Sequence, residues 1–399
     1  MRQLQLIPAK FDKVNSVFML LLCISFGLNT GCQNDRETIS NKFIDIKPSY
    51  SNIQLVPKDT ISFFLEKDAY NKIKSFNCFI ANDGKEYISF YDRLSESVTI
   101  YEFSTRVLVK KLQLKKIIKG KLYKTSAYVH SYDSILVTNF DKLYLLDSSG
   151  KIHRSATLTN IETMAFFETP VPAIIKENKV FTGVRPYVNE RSMSDIKSWK
   201  VLCAFDMDKD ACKGYYSLPE VYRKDFYGSR FMEYGYCYND KGNFVFSFPA
   251  DSNIYETNLK EYNTAYNGKS KFQTGPIEPV GKQALDRHEG RKEFALRDSY
   301  GPIYYDPHTK RYLRIAKQKV SKEALASKTA KRTFTIIVFD KHFKIIGEFE
   351  YRDTYLLDTI FSAADGNMYA RVFKSDEKAI HFVRLVWEND NISSQLTKK

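Results

Sequence analysis

The stretch Asn82-Asp83-Gly84-Lys85-Glu86-Tyr87-Ile88-Ser89-Phe90-Tyr91 decides the fold. Asn, Asp and Gly tolerate the positive φ that a tight hairpin needs. The residues after them have the alternating apolar pattern of a strand. A second apolar strand, residues 98–103, follows at hairpin distance. Outward along the chain the same pattern returns five times. The turn signals are Tyr132-Asp133, Glu177-Asn178, Asp240-Lys241-Gly242, Asp306 to Lys310 and Ala364-Asp365-Gly366, each followed by an apolar strand. Further strands come at 142–147, 200–206, 253–258, 333–340 and 380–387. With one more strand before each first turn, the chain divides into six units of four strands, about 45–68 residues apart.

Four-stranded units repeated radially are the blades of a β-propeller, which leaves only short, protected edges. The expected fold is therefore all-β, a six-bladed β-propeller. It also answers a size problem, because one hydrophobic core stops growing at roughly 250–300 residues and this chain has 399. Two packed β-sandwich domains are the rival, and the even six-fold recurrence speaks against them. The sixth unit runs out of chain after Trp387. Its missing outer strand is expected from the N-terminal side, from residues 53–56 or 61–65, so that the last blade is closed by an N-terminal strand. Only residues 319–331 (KVSKEALASKTAK) have helix-forming composition, inside an insertion.

The start of the chain reads as an export signal. Arg2, Lys10 and Lys13 precede a 12-residue apolar run, residues 17–28. That run is too short for a bilayer span of about 20 residues but suits a signal segment. Leu28-Asn29-Thr30-Gly31-Cys32 resembles a bacterial lipobox, with Asn29 where an aliphatic residue is usual. The resemblance implies cleavage before Cys32 and lipidation of Cys32. It thus implies a membrane partner through the N-terminal lipid, since two or more acyl chains anchor stably. Gln33, Asp35 and Glu37 resemble the surface-export signal of Bacteroidetes lipoproteins, which places the chain on the outer membrane facing outward; the periplasmic leaflet is the alternative. The expected organisation is 1–31 signal peptide, 32–50 lipidated tether, 51–390 propeller and 391–399 tail.

The formal net charge is +14. The three signal cations and Asp12 carry +2 of it away, leaving +12. A basic surface points to anionic partners. Outside the cytoplasm these are acidic glycans or acidic protein faces rather than nucleic acid. The exported compartment permits disulfides. Cys203 and Cys212 flank the turn signal Asp206-Met207-Asp208-Lys209-Asp210 and are the candidate bridge. Cys78 and Cys237 read as buried apolar residues.

The chain has no G-x-S-x-G, HExxH, P-loop or G-x-G-x-x-G, so no catalytic residue and no cofactor is assigned. Its six His are scattered without ligand spacing. Asp206, Asp208 and Asp210 imitate the start of a Ca²⁺ loop, but Ala211 and Ser217 stand where the turn Gly and the final Glu belong. No metal site is expected. The loops are more informative. In a blade, the strand 2–3 connection and the connection to the next blade lie on one face. All four long segments, 185–198, 218–230, 262–298 and 317–332, fall on that face. Function concentrates on loops held by a rigid scaffold. The candidate binding residues there are Arg185, Tyr187, Arg230, His288, Arg297, Tyr300 and Arg314, with Arg191, Tyr222, Arg223, Arg287 and Arg291 beside them. Arg and Tyr anchor interfaces, and Arg grips carboxylate and phosphate in bidentate fashion. The expected function is non-enzymatic recognition of a glycan, peptide or partner protein through this face. A polysaccharide hydrolase or lyase at the same face and a periplasm-facing scaffold of an envelope assembly are the alternatives.

The segment Ser299-Tyr300-Gly301-Pro302-Ile303-Tyr304-Tyr305-Asp306-Pro307, followed by Arg311-Tyr312-Leu313-Arg314, carries a family resemblance. Through it the whole mature chain is similar to Bacteroidetes lipoproteins, a domain of unknown function, with a six-bladed, TolB-like or NHL-like propeller. The resemblance implies the fold and an envelope location, and carries over no catalytic residue.

Overall fold

A computed structural model describes residues 40–71, 73–120, 122, 124–158, 163–186, 189–351, 355–372 and 378–388. Cys32 with the expected signal, Tyr187 and the expected tail lie outside the described residues. The described chain opens with β1 (Ser40–Ile44) and β2 (Gln54–Phe64). The first blade is β3 (Ile73–Ile80), β4 (Glu86–Asp92), β5 (Ser97–Glu102) and β6 (Leu108–Gln113), followed by α1 (Leu114–Ile117). The second is β7 (Thr125–Ser131), β8 (Ser134–Asn139), β9 (Lys142–Leu146) and β10 (Ile152–Thr157). In the third, β11 (Thr163–Phe166) and β12 (Ile174–Lys176) share the inner position; β13 (Lys179–Pro186), α2 (Met193–Ser198), β14 (Lys200–Asp206) and β15 (Ala211–Ser217) follow. α3 (Glu220–Lys224) and a 3₁₀ turn, Ser229–Met232, lead to the fourth: β16 (Gly235–Tyr238), β17 (Phe244–Ser247), β18 (Asn253–Thr257) and β19 (Tyr262–Asn267). α4 (Lys282–Asp286) and α5 (Gly290–Ala295) lead to the fifth: β20 (Ser299–Asp306), β21 (Arg311–Lys317), α6 (Lys322–Ala326), β22 (Phe334–Phe339) and β23 (Ile345–Tyr351). The sixth is β24 (Tyr355–Ser362), β25 (Met368–Val372) and β26 (Ala379–Glu388), completed by β2.

The six sheets are the blades of a six-bladed β-propeller. β2 runs antiparallel to β26 from Gln54↔Glu388 to Phe64↔Ala379, broken by a bulge between Pro57 and Thr60. Both stretches expected to close the ring are therefore one bulged strand. The turn chemistry also matches. Gly84, Gly242 and Gly366 sit at φ of +76°, +76° and +80°, and Glu177 and Asn178 at +51° and +58°. Asp83 accepts from the Lys85 amide at 3.0 Å and from the Tyr87 hydroxyl at 2.7 Å. Asp365 repeats this with the Asn367 amide at 2.9 Å and the Tyr369 hydroxyl at 2.8 Å. An Asp at the turn and a Tyr four residues on thus form a recurring hairpin clip.

Apolar packing follows the modular expectation. Val98, Leu112, Ile135 and Leu146 fill the seam between blades one and two, and Leu143, Val180, Cys203 and Phe205 that between two and three. Phe63, Phe76, Phe90 and Phe382 seal the seam where the last blade meets the first. Each blade packs on its neighbours, so the ring needs no single large core.

Four findings depart from the sequence expectations. Residues 40–50 are not a free tether: β1 pairs in parallel with β19, the Ser49 amide donates to Ile345 O at 2.9 Å, and that of Ser51 to Ile346 O at 2.8 Å. The N-terminal segment is a belt along the outer edges of blades four, five and six. Residues 262–267, expected at the start of a long loop, form β19. Helix is not confined to 319–331, because short helices such as α2 stand in each of the four long excursions. They run four to six residues, too short for a periodicity signal. Serine N-caps still mark two, Ser192 accepting from the Asp195 amide and Ser321 from that of Ala324. Finally, Cys203 and Cys212 are free thiols. Cys203 stands opposite Gly214 and Cys212 opposite Phe205, so the two lie diagonally rather than face to face. The acids between them hold the turn: Asp206 accepts from the Asp208 amide, Asp208 pairs with Arg154, and Asp210 accepts from the Thr157 amide.

Candidate functional site

The central channel is walled by the inner strands β3, β7, β11 with β12, β16, β20 and β24. Its shape is set by an irregularity in blade three. Phe166 of β11 pairs with Gly183, and Ile174 of β12 pairs with Phe181. Seven residues, 167–173, therefore stand opposite the single residue Thr182 and turn inward. This plug is stitched across the ring. The Thr169 hydroxyl accepts from the Phe76 amide at 3.1 Å and donates to Lys74 O at 3.2 Å. Pro170 O accepts from the Tyr236 amide at 2.9 Å, and Pro172 O from the Tyr236 hydroxyl at 2.5 Å. Two glycines give it room. A Cβ on Gly183 would lie 2.4 Å from Val171, and one on Gly235 would lie 3.1 Å from both Pro170 O and Pro302 Cα. Thr169 borders the space above and below, so the plug divides the channel into two chambers.

The upper chamber, about 480 Å³, opens on the long-loop face. Four cations line it, Lys74, Arg185, Arg230 and Lys317, against two carboxylates, Glu168 and Glu233. Arg185 reaches Glu168 at 2.9 Å and lies 4.5 Å over the Phe166 ring, which holds its head at the rim. Lys74 stands 3.9 Å from the same Glu168. Arg230 pairs with Glu233 at 2.9 Å. These exposed pairs are weak and exchangeable, so an incoming anion can take over the guanidinium donors. Excess positive charge at a low-dielectric rim concentrates anions there.

A cap surrounds the mouth. α2 packs on α3, and α5 on the Ser229–Met232 turn. Arg191 Nη2 lies 3.1 Å from His288 Nδ1, joining the long loop of blade three to the excursion between blades four and five. A smaller cavity of about 200 Å³ lies in this cap, bordered by Glu190, Arg230, His288 and Arg291.

The candidate residues divide sharply. Arg185 and Arg230, with side chains 43% and 44% exposed, stand at the mouth. His288 is exposed in the cap at φ +59°. The other three belong to the framework. Arg297 donates to Glu278 O, Glu293 O and Pro279 O at 2.8, 2.9 and 2.9 Å, and to the Glu293 carboxylate at 2.5 Å, clamping the excursion shut. Tyr300 is buried, its hydroxyl donating to Gln273 and accepting from the Ser270 amide at 3.1 Å; burial pushes that hydroxyl up to about 12. Arg314 is fully buried. Its five donors are engaged by Ser247 Oγ and the carbonyls of Ser252, Gly268, Phe248 and Asp251. Its guanidinium lies 3.7 Å over the Tyr300 ring. Burial lowers it to about 10, so it stays cationic at neutral pH. Tyr222, noted beside the candidates, is also buried, donating to Phe231 O at 2.6 Å. Lys74, Lys317, Glu168 and Glu233 were not foreseen. The one signal for the plug was Pro170 and Pro172 within an inner-strand position, where proline cannot donate to the ladder.

The sequence matches the family described as a domain of unknown function, DUF4221, over residues 52–350. Among solved structures, a DUF4221 family member from Bacteroides vulgatus is similar at 20% identity, covering 86% of this chain and 100% of that one with a TM-score of 0.72. A streptogramin B lyase is similar at 10% identity, covering 82% and 98%, with a TM-score of 0.44. A virginiamycin B lyase from Staphylococcus aureus is similar at 8% identity, covering 84% and 100%, with a TM-score of 0.43. No curated protein matches the sequence.

Proposed function

This chain belongs to the DUF4221 family, and on that premise we propose that its propeller is a recognition module for an anionic glycan or an acidic segment of a partner protein. The observation that carries the reading is the mouth itself: four cations against two carboxylates, ringed by all four long excursions. The double variant Arg185→Ala, Arg230→Ala removes two rim donors and leaves the framework arginines in place. Its retention on immobilised polygalacturonate, chondroitin sulfate and poly-glutamate is expected to fall roughly tenfold at low salt, with the difference from the parent shrinking as salt rises. Equal retention of both proteins on all three supports would sink the proposal. Glu168 and Glu233 at the same mouth favour a second reading, cleavage of an acidic polysaccharide. Release of reducing ends or unsaturated uronate from polygalacturonate would replace recognition with that activity.

We further propose that the chain is an envelope lipoprotein anchored through Cys32, with the mouth directed away from the membrane. β1 runs parallel to β19, with Ser40 opposite Tyr262, so Ser40 sits at the short-turn face of blade four. Eight residue steps from Cys32 to Ser40 reach at most about 28 Å. An acyl anchor at Cys32 thus keeps the short-turn face near the bilayer and presents the long-loop face outward. Cys32→Ser is expected to move the protein from the membrane fraction to the soluble fraction and to abolish incorporation of labelled palmitate. Undiminished palmitate incorporation would refute the anchor.

A further inference from the structure

Below the plug, the channel widens into a second chamber of about 490 Å³ that opens on the short-turn face, with residues from all six blades in its wall. Its chemistry is unlike that of the mouth. Asp240 is the only charged side chain on it, and that carboxylate is paired with Lys310 at 3.2 Å. The rest is aromatic, aliphatic and neutral polar surface, the aliphatic part from Pro172, Ile174, Ile303, Pro307 and Ile360. The aromatic rings are held from behind. Phe76 and Phe361 pack at 4.7 Å, and each also meets Phe382, at 5.2 and 5.3 Å. Tyr305 lies 4.8 Å from Tyr312, and Tyr238 meets Phe244 edge-on at 5.0 Å. Such walls do not reorganise when a ring stacks on them.

Four residues on this wall carry a polar group with no hydrogen-bond partner among the described residues. Tyr128, whose hydroxyl is one of them, lines the chamber although the residue is only 8% exposed. Asn77 donates through Nδ2 to Val129 O at 2.7 Å, which leaves its amide oxygen open. The Tyr238 hydroxyl is the third, and the buried Tyr305 hydroxyl the fourth. An apolar occupant would leave these groups unpaired, at about 1–3 kcal/mol for each buried one. An anion would find no open cation. A polyol ring satisfies both demands, since its C–H faces stack on aromatic rings and its hydroxyls donate and accept.

We propose that the lower chamber is a binding site for a neutral hexopyranose, a single sugar ring or the end of a glycan chain, held by aromatic stacking and by hydrogen bonds to Tyr128, Asn77 and Tyr238. The site is separate from the mouth, and it stands whether or not the mouth binds anions. Its volume lies within the roughly 300–1,000 Å³ of small-molecule sites.

The test is calorimetric titration of the full chain with D-glucose, D-galactose, D-mannose and N-acetyl-D-glucosamine, each to tens of millimolar, with D-galacturonate as the charged control. At least one neutral sugar is expected to bind, and galacturonate no more tightly than galactose. Tyr128→Phe keeps the ring and removes one hydroxyl. It is expected to weaken that sugar about fivefold, and Tyr128→Phe with Tyr238→Phe further, while thermal melts show both variants folded. Arg185→Ala with Arg230→Ala is expected to leave sugar affinity unchanged. Absence of binding by all four neutral sugars would overturn the proposal. So would affinity that is unmoved in both tyrosine variants, or lost in the arginine double variant.

Discussion

Arg314→Ala is expected to destabilise the propeller by more than about 4 kcal/mol, a large part of the roughly 5–15 kcal/mol that holds a typical domain. Arg314 stands on β21 of blade five and reaches into blade four, where its guanidinium serves Ser247 Oγ and four main-chain carbonyls. Alanine leaves those carbonyls buried without donors, at about 1–3 kcal/mol each where water cannot enter. It also opens a cavity beside the Tyr300 ring. The fit is close, since a Cβ on Gly268 would stand 2.8 Å from Arg314 Nη1. Lysine keeps the charge but carries three donors on one nitrogen, which cannot span acceptors spread from Ser247 to Gly268. Arg314→Lys is expected to recover less than half of the loss. Urea unfolding measures both variants, and an Arg314→Ala midpoint within error of the parent would contradict the interblade lock.

The fate of this residue shows what a sequence conveys and what it withholds. The strand Arg311–Lys317 was legible from its turn and its alternation. An arginine in that strand looked like a ligand grip, as did Arg297 and Arg185. Their roles differ because their acceptors differ. Arg314 finds its first acceptor 67 residues away along the chain, whereas Arg185 finds a carboxylate on the plug. Nothing local to an arginine distinguishes a buried network from a solvated rim.

Removing the N-terminal belt is the second large effect. A chain beginning at Leu65 lacks the outer strand of blade six and is expected to aggregate rather than to form a monomeric ring. Ile53, Leu55, Ile61 and Phe63 are all buried, Phe63 completely. At about 1.5–3 kcal/mol for each large apolar side chain, their loss removes roughly 6–12 kcal/mol, as much as a domain's whole stability. It also exposes the edge of β26, whose unpaired amides and carbonyls template association with other chains. Phe63→Ala alone is expected to cost about 3–5 kcal/mol, since the ring meets Tyr101, Phe103 and Phe382 across the closing seam. Among the described elements, a chain beginning at Asp45 loses β1, whose residues are mostly exposed. It is expected to remain a folded monomer with a melting temperature a few degrees lower. Size-exclusion chromatography and thermal melting separate the three cases. A monomeric, cooperatively melting chain from Leu65 onward would show that closure by β2 is dispensable.

Taken by itself, the sequence determined the number of blades, their hairpin turns, the closing strand and the face that carries the long loops. These follow from local rules: a period of two along strands, positive φ at Gly and Asn, and the count of apolar strands per unit. The tertiary structure alone decided that residues 167–173 plug the channel and that residues 40–51 belt blades four and five. It alone decided that Arg185 and Arg230 meet Lys74 and Lys317 at one mouth, while Arg297, Tyr300 and Arg314 are buried in the frame. The physical reason is that burial and hydrogen-bond partnership belong to pairs of groups, and in a ring those pairs join blades that lie far apart along the chain.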